Sequence, residues 1–247
     1  MMNQVANAES TDSRWKGLYK VGGAAALVAA MLLATEIIVF IIWPLPSTVT
    51  GYFTLFQSNR LIGLLDFYLL EFLAYALFVP VFLAISVALR RANESYIALA
   101  TTLAMIGIAV FLATNNPFSM LSLSDQYAAA TTDAQRSLFL AAGQAILAST
   151  NQRAVGGFNT GFLFFSIAGL MVSAVMLQSK TFSKAIAYVG VLAFAVSLAD
   201  YFRKVFMPSI LLLLLIIATV SGILMLIWLV LIARRLFQLG QRRPDAA

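Results

Sequence analysis

Three carboxylates stand where a very apolar chain has least reason to carry them. Glu36 lies inside the apolar run 20–43, and Asp66 and Glu71 lie inside the run 61–89. Left charged and unpaired in hydrocarbon, each costs roughly 2.5–3.5 kcal/mol on an insertion scale. Acids so placed are candidates for a proton or cation site. On a straight helix Tyr68 (i−3) and Tyr75 (i+4) share a face with Glu71. Asp66 is five residues from Glu71, about 140° round such a helix, so the two acids cannot both point at one ligand. Asn115 and Asn159 complete the candidate ligand or proton set. Each has a structural alternative. Glu36 can bond to a Tyr or Asn across helices, and Asp66 can pair with Arg60, Arg153 or Arg203. Tyr68 and Tyr75 can simply pack, and Asn159 can mend a helix contact. The residue types leave both readings open.

Other chemistries are excluded by what is missing. The chain has no cysteine and no histidine. Disulfide frames and thiol chemistry are therefore absent. So are His-ligated haem, the usual zinc and non-haem iron sites, and Ser-His-Asp or Cys-His catalysis. No metal and no cofactor is expected, and an enzyme is the less favoured reading.

The elements that must position these residues are membrane helices. Of 247 residues, 62% are hydrophobic and 11% charged, with a mean hydropathy of +0.92. A soluble domain is nearer half apolar and a quarter charged. An all-α, polytopic transmembrane bundle in a single membrane domain, 1–247, is expected. Six spans are read, at approximately 20–43, 61–89, 95–114, 154–177, 182–201 and 209–232. The first apolar run is too long for a signal-peptide core and lacks a clear cleavage site, so it is read as an uncleaved span. Trp43-Pro44 ends it with an interfacial aromatic and a helix stop. Span two is roughly 43 Å long at 1.5 Å per residue, longer than a ~30 Å hydrocarbon core. It must tilt, kink or project, with Pro80 as the expected kink. Asn115-Asn116-Pro117 closes span three.

Two segments outside the spans are amphipathic. In 47–58, Ser47 is the expected N-cap, and Val49, Tyr52, Phe53 and Phe56 fall at i, i+3, i+4, i+7. In 118–153, Thr132 with Gln135 fits a capping box. Leu138, Ala141, Ala142 and Ala145 then give an apolar stripe. Both segments are expected to cap the outer face of the bundle. Gly157 and Gly161 form a GxxxG continued by Gly169 and Ser173, a close-packing face for helices.

Orientation follows from the basic residues. With the N-terminus inside, 11 of the 16 Lys and Arg collect on the inner face, including Arg90, Arg91, Lys180, Arg234 and Arg235. The remaining 5 are Arg60, Arg136, Arg153, Arg203 and Lys204. The bias predicts both termini in the cytoplasm. It accounts for most of the +6 net charge without nucleic acid, for which there is no motif. Counted from the span ends, Glu36 lies roughly 10 Å deep, Asp66 roughly 7 Å and Glu71 roughly 15 Å, all in the outer half. The expectation is an outward-facing acidic pocket over a sealed apolar floor.

The runs NPFSMLSLSDQYAAATTDAQRSLFLAAGQAILA (116–148), WKGLYKVGG (15–23) and IARRLFQLG (232–240) add a likeness. They resemble uncharacterised bacterial multi-span membrane proteins grouped as a 4386-like domain of unknown function. The resemblance covers nearly the whole chain. It implies the plasma membrane of a prokaryote and transfers no functional residue. Three roles are then compatible with the residues. The favoured one is a non-catalytic sensor, accessory or assembly module, with the bilayer and either a second copy or another membrane protein as partners. The alternatives are a small proton- or cation-coupled transporter, and an intramembrane enzyme acting on a lipid-linked substrate.

Overall fold

A computed structural model describes residues 14–150, 159–206 and 211–241. Among them every regular element is helical. In chain order these are α1 (Lys16–Ile42), α2 (Val49–Ser58), α3 (Arg60–Asp66), α4 (Leu69–Leu89), α5 (Glu94–Thr114), α6 (Pro117–Ala129), α7 (Asp133–Ser149), α8 (Thr160–Gln178), α9 (Lys184–Phe206) and α10 (Leu211–Gln241). Six of them, α1, α4, α5, α8, α9 and α10, are long and apolar enough to cross a membrane. Their outward faces stay apolar, with Met31, Ile38, Leu73, Leu99, Leu192 and Val230 all exposed. Lipid-facing side chains of this kind are what a bilayer solvates.

The six long helices close a ring. α1 packs on α4, α4 on α5, α5 on α8, α8 on α9, α9 on α10, and α10 back on α1. Small residues set the spacing at the contacts. A Cβ on Gly22 would sit 2.5 Å from the Ala84 Cβ, and one on Gly107 would sit 2.7 Å from the Phe165 backbone N. Aromatics fill the centre. Tyr75 stacks on Phe111 at 3.6 Å between ring centroids, and Phe165 meets Phe78, Phe82 and Phe194 at 4.7, 5.4 and 5.8 Å. Phe194 meets Trp228 edge-on at 5.1 Å. Such edge and offset contacts favour one packing over others.

The two ends of the ring differ. One, the terminal face, holds the start of α1 beside the end of α10, where Gly240 lies against Lys16 and Lys20. Arg90 there lies over the Trp15 ring at 5.9 Å. The other, the capped face, carries α2, α3, α6 and α7. These four pack on one another around their own core of Val49, Tyr52, Phe53, Phe56, Phe67, Met120 and Leu147. The buried Ser124 hydroxyl donates to the Phe53 carbonyl at 3.1 Å, tying α6 to α2. The amphipathic phase 49-52-53-56 is the buried face of α2, as expected. Its N-cap is Thr48 rather than Ser47: the Thr48 hydroxyl accepts from Gly51 N at 3.1 Å. The Thr132–Gln135 capping box is present.

Four further expectations are corrected. Span two is not one helix kinked at Pro80. It breaks at Phe67–Tyr68, and Pro80 lies inside α4. Tyr68 takes φ 61°, ψ 30°, a left-handed conformation that is unusual without glycine. The break sends two adjacent rings to different places. Phe67 packs on Tyr52 in the cap, at 5.0 Å, while Tyr68 meets Phe40 of α1 at 5.2 Å. The second correction concerns α7. Leu138, Ala141 and Ala145 are exposed, and its inward face is Phe139, Leu140, Gly143, Ile146 and Leu147. Gly143 decides the phase: a Cβ there would lie 2.5 Å from Val49 Cγ1, so this is where α7 meets α2. Third, α1 starts earlier than 20, and α9 and α10 run past 201 and 232. Fourth, Glu71 lies in the first turn of its helix rather than ten residues into a span, so depth counted from residue 61 does not apply. Gly157 and Arg153 lie outside the described residues.

Candidate functional site

A cavity of about 130 Å³ lies inside the ring, in its capped half. α1 contributes Leu33, Glu36, Ile37 and Phe40; α4 contributes Tyr68, Glu71, Tyr75 and Phe78. α8 adds Phe162 and Phe165, α9 adds Ser197, and α10 adds Ser221, Gly222, Met225 and Leu226. Four of the expected residues, Glu36, Tyr68, Glu71 and Tyr75, thus share one cavity. Its volume has room for several waters. Among the described residues no basic side chain lines it, and the polar side-chain atoms that do are carboxylate and hydroxyl oxygens.

Each side chain is placed by a local cause. Glu36 is buried on the inward face of α1, within electrostatic range of Tyr75, as is Glu71. Glu71 is placed by the helix break, which starts α4 two residues before it. Unbonded backbone N–H groups concentrate in that first turn. Tyr68, the residue that carries the break, closes over the cavity from the cap side. Tyr75 is held flat by its stack on Phe111. Ser197 and Ser221 face each other across α9 and α10 with hydroxyl oxygens 2.7 Å apart. Gly222 leaves space: a Cβ there would meet no atom within 4 Å.

The other three candidates lie elsewhere. Asp66 ends α3, outside the six spans, fully buried, and neither carboxylate oxygen has a hydrogen-bond partner among the described residues. Burial raises its carboxyl from an ordinary 3.8 to about 6. The ion pairs considered for it go to other acids. Arg60 binds Asp125 at 3.0 Å on the surface, and Arg203 binds Asp200 at 2.8 Å within α9. Asn115 is buried at the end of α5, away from the cavity lining. Asn159 caps α8, accepting from Phe162 N at 3.1 Å and donating to the Thr114 hydroxyl at 2.8 Å. Its backbone carbonyl accepts from the Tyr201 hydroxyl. That is a joint between α5, α8 and α9, the structural role weighed for it. Gly161 is a packing residue: a Cβ there would lie 2.5 Å from the Gly107 carbonyl oxygen.

Sequence reasoning missed Ser197, Ser221 and Gly222. Their signal was present as small polar or small residues in apolar runs. Serines in helices commonly bond back to the preceding turn, as Ser197 does to Ala193 O at 2.9 Å, so the type alone does not single them out.

Below the cavity the ring is closed. Phe82, Phe194 and Trp228 are each at most 1% exposed, and Val81, Ile85 and Leu229 beside them are fully buried. Six apolar helices ringed around an aromatic core, one end capped by amphipathic helices, define a multi-pass α-helical membrane protein. A family model described as "Domain of unknown function (DUF4386)" matches residues 18–233, and the chain belongs to that family. No curated protein and no solved structure matches it.

Proposed function

We propose that the chain is a non-catalytic binding module of a prokaryotic plasma membrane. Its acidic cavity receives a small ligand with a cationic or hydrogen-bond-donating head. One observation carries the reading: Glu36 and Glu71, from two different helices, line a single cavity that has aromatic walls and, among the described residues, no basic side chain. Carboxylates supply the charge, and the Phe40, Tyr68, Tyr75 and Phe162 rings supply faces that attract a cation. The Lys and Arg bias supports placing the terminal face in the cytoplasm and the capped face outside. The cap, which exposes Phe118 and Leu138, is then the surface offered to a partner subunit or a second copy.

The transporter reading needs a polar route to the terminal face. The buried aromatic floor argues against it, and so does the position of the buried charged side chains: among the described residues these are Glu36, Asp66 and Arg203, all in the capped half. The enzyme reading would use the two carboxylates as acid and base, and no catalytic motif in the chain supports it.

Thermal unfolding of the purified protein with benzyltrimethylammonium as probe tests the binding reading. The probe is expected to raise the Tm of wild type and to leave Glu36→Gln and Glu71→Gln unchanged. Proteoliposomes loaded with a pH-sensitive dye and labelled tetraethylammonium test the alternative. Flux in wild type that Glu71→Gln abolishes would replace the module by a transporter.

A further inference from the structure

A second cavity, of about 360 Å³, opens at the terminal face between α9 and α10, far along the ring axis from the acidic one. Its charge is opposite. Lys180, Arg234 and Arg235 line it, and among the described residues no acid does. We propose that it binds a phosphate group, and that the phosphate is borne by an anionic lipid of the adjoining leaflet.

The cationic wall is built rather than incidental. The Arg235 Nε donates to the Thr181 carbonyl and one of its terminal nitrogens donates to Gln238 Oε1 at 3.2 Å, which fixes the guanidinium against the α8–α9 loop. Lys180 and Arg234 are exposed beside it and make no ion pair among the described residues. Ser183, at the start of α9, also lines the cavity, so the positive end of a 23-residue helix adds to the same field. The surrounding face gives little counter-charge among the described residues, whose acids place Glu94 alone at this end. A fixed guanidinium with two exposed cations around it is the donor set that a phosphate with several anionic oxygens takes.

The apolar part of the lining selects the lipid. Ile186 and Leu231 form the side of the cavity nearest the spans. On the same two helices Tyr188, Leu192, Ile227 and Val230 are exposed, a track on which an acyl chain can lie. A free phosphate has no use for that track. Basic pockets between membrane helices at the cytoplasmic side take anionic headgroups on this principle.

The test uses native mass spectrometry and thermal unfolding of the full chain in nanodiscs. One set is phosphatidylcholine alone, and the other contains phosphatidylcholine with phosphatidylglycerol. Wild type is expected to retain phosphatidylglycerol and to gain Tm in the mixed discs. Each cation near an anionic surface is worth about fivefold in affinity, so Lys180→Gln/Arg234→Gln is expected to weaken retention by about twenty-fivefold. Both side chains are exposed, so the variant folds as wild type does; its Tm in phosphatidylcholine discs checks this. Inorganic phosphate in phosphatidylcholine discs forms the second arm. Protection by phosphate equal to that by phosphatidylglycerol would keep the anion site and overturn the lipid assignment. Equal retention of phosphatidylglycerol by wild type and the double variant would overturn the site itself.

Discussion

Replacing Gly161 by alanine puts a methyl group into a contact between two backbones. The added Cβ would lie 2.5 Å from the Gly107 carbonyl oxygen and 2.8 Å from Phe111 Cα. Ordinary contact begins near 3.4 Å, and neither neighbour is a side chain that can rotate away. α5 and α8 must therefore separate by about 1 Å. A gap of that size forfeits a quarter to a half of each dispersion contact along the seam. It also stretches the Asn159–Thr114 bond, 2.8 Å long, which crosses the same pair of helices. Overpacking of this kind costs about 3 kcal/mol, the upper end of its usual range, because backbone cannot relax. In a protein of this length that lowers Tm by about 6–12 °C. Gly222→Ala is the matched control, since nothing stands within 4 Å of its Cβ. Relief of the glycine penalty in a helix gives it up to about 1 kcal/mol, a rise of about 2–4 °C. Intrinsic tryptophan fluorescence during heating in dodecylmaltoside, with size exclusion before heating, measures both. A Gly161→Ala variant within 2 °C of wild type, or a Gly222→Ala variant that falls equally far, refutes the packing account.

Two further perturbations act on the cap. Asp66 has a folded-state pKa raised from 3.8 to about 6, so its contribution to stability is greatest below 3.8 and is lost as pH rises through 6. The full difference is about 3 kcal/mol, of which about 1 kcal/mol falls between pH 5 and pH 7. Asp66→Asn is expected to be more stable than wild type at pH 7.5 and to flatten the Tm–pH curve across that interval; an unchanged slope contradicts the assignment. Thr132→Ala removes one half of the capping box at the start of α7 and is expected to cost about 1 kcal/mol. Faster hydrogen exchange confined to the first turn of α7 is the accompanying readout; protection equal to wild type there would show that the box does not hold the helix.

Much of the fold was legible because it depends on patterns that survive without neighbours. Long apolar runs, Pro117 after Asn116, the phase of Val49, Tyr52, Phe53 and Phe56, and the Thr132–Gln135 spacing are all local signals. The helix break is different. No Gly or Pro marks Phe67–Tyr68; it exists because Phe67 finds a partner in the cap while Tyr68 finds one in α1. That is a tertiary cause. The face of α7 has a related cause: alanines at helical spacing predict a stripe, whereas Gly143 and Leu147 carry the contact. At the site, the pairing of Glu71 with Tyr68 and Tyr75 came from one-helix spacing. The addition of Glu36, Ser197 and Ser221 comes from ring closure, which no spacing along the chain encodes. The separation of Asp66 from Glu71 was expected from a straight helix and arises instead from the break.

The chain contains no cysteine, so single cysteines report access directly. Ser221→Cys places a thiol on the acidic cavity, and Ser173→Cys places one in the fully buried floor beside Gly190. The most direct measurement is their labelling by a cationic, membrane-impermeant methanethiosulfonate added to either face of oriented vesicles. An acidic cavity reached from the capped face and closed below predicts that the cysteine at 221 reacts from that face alone and more slowly in a Glu71→Gln background, with the cysteine at 173 inert. Reaction at 221 from the terminal face, or at 173 from either face, contradicts it.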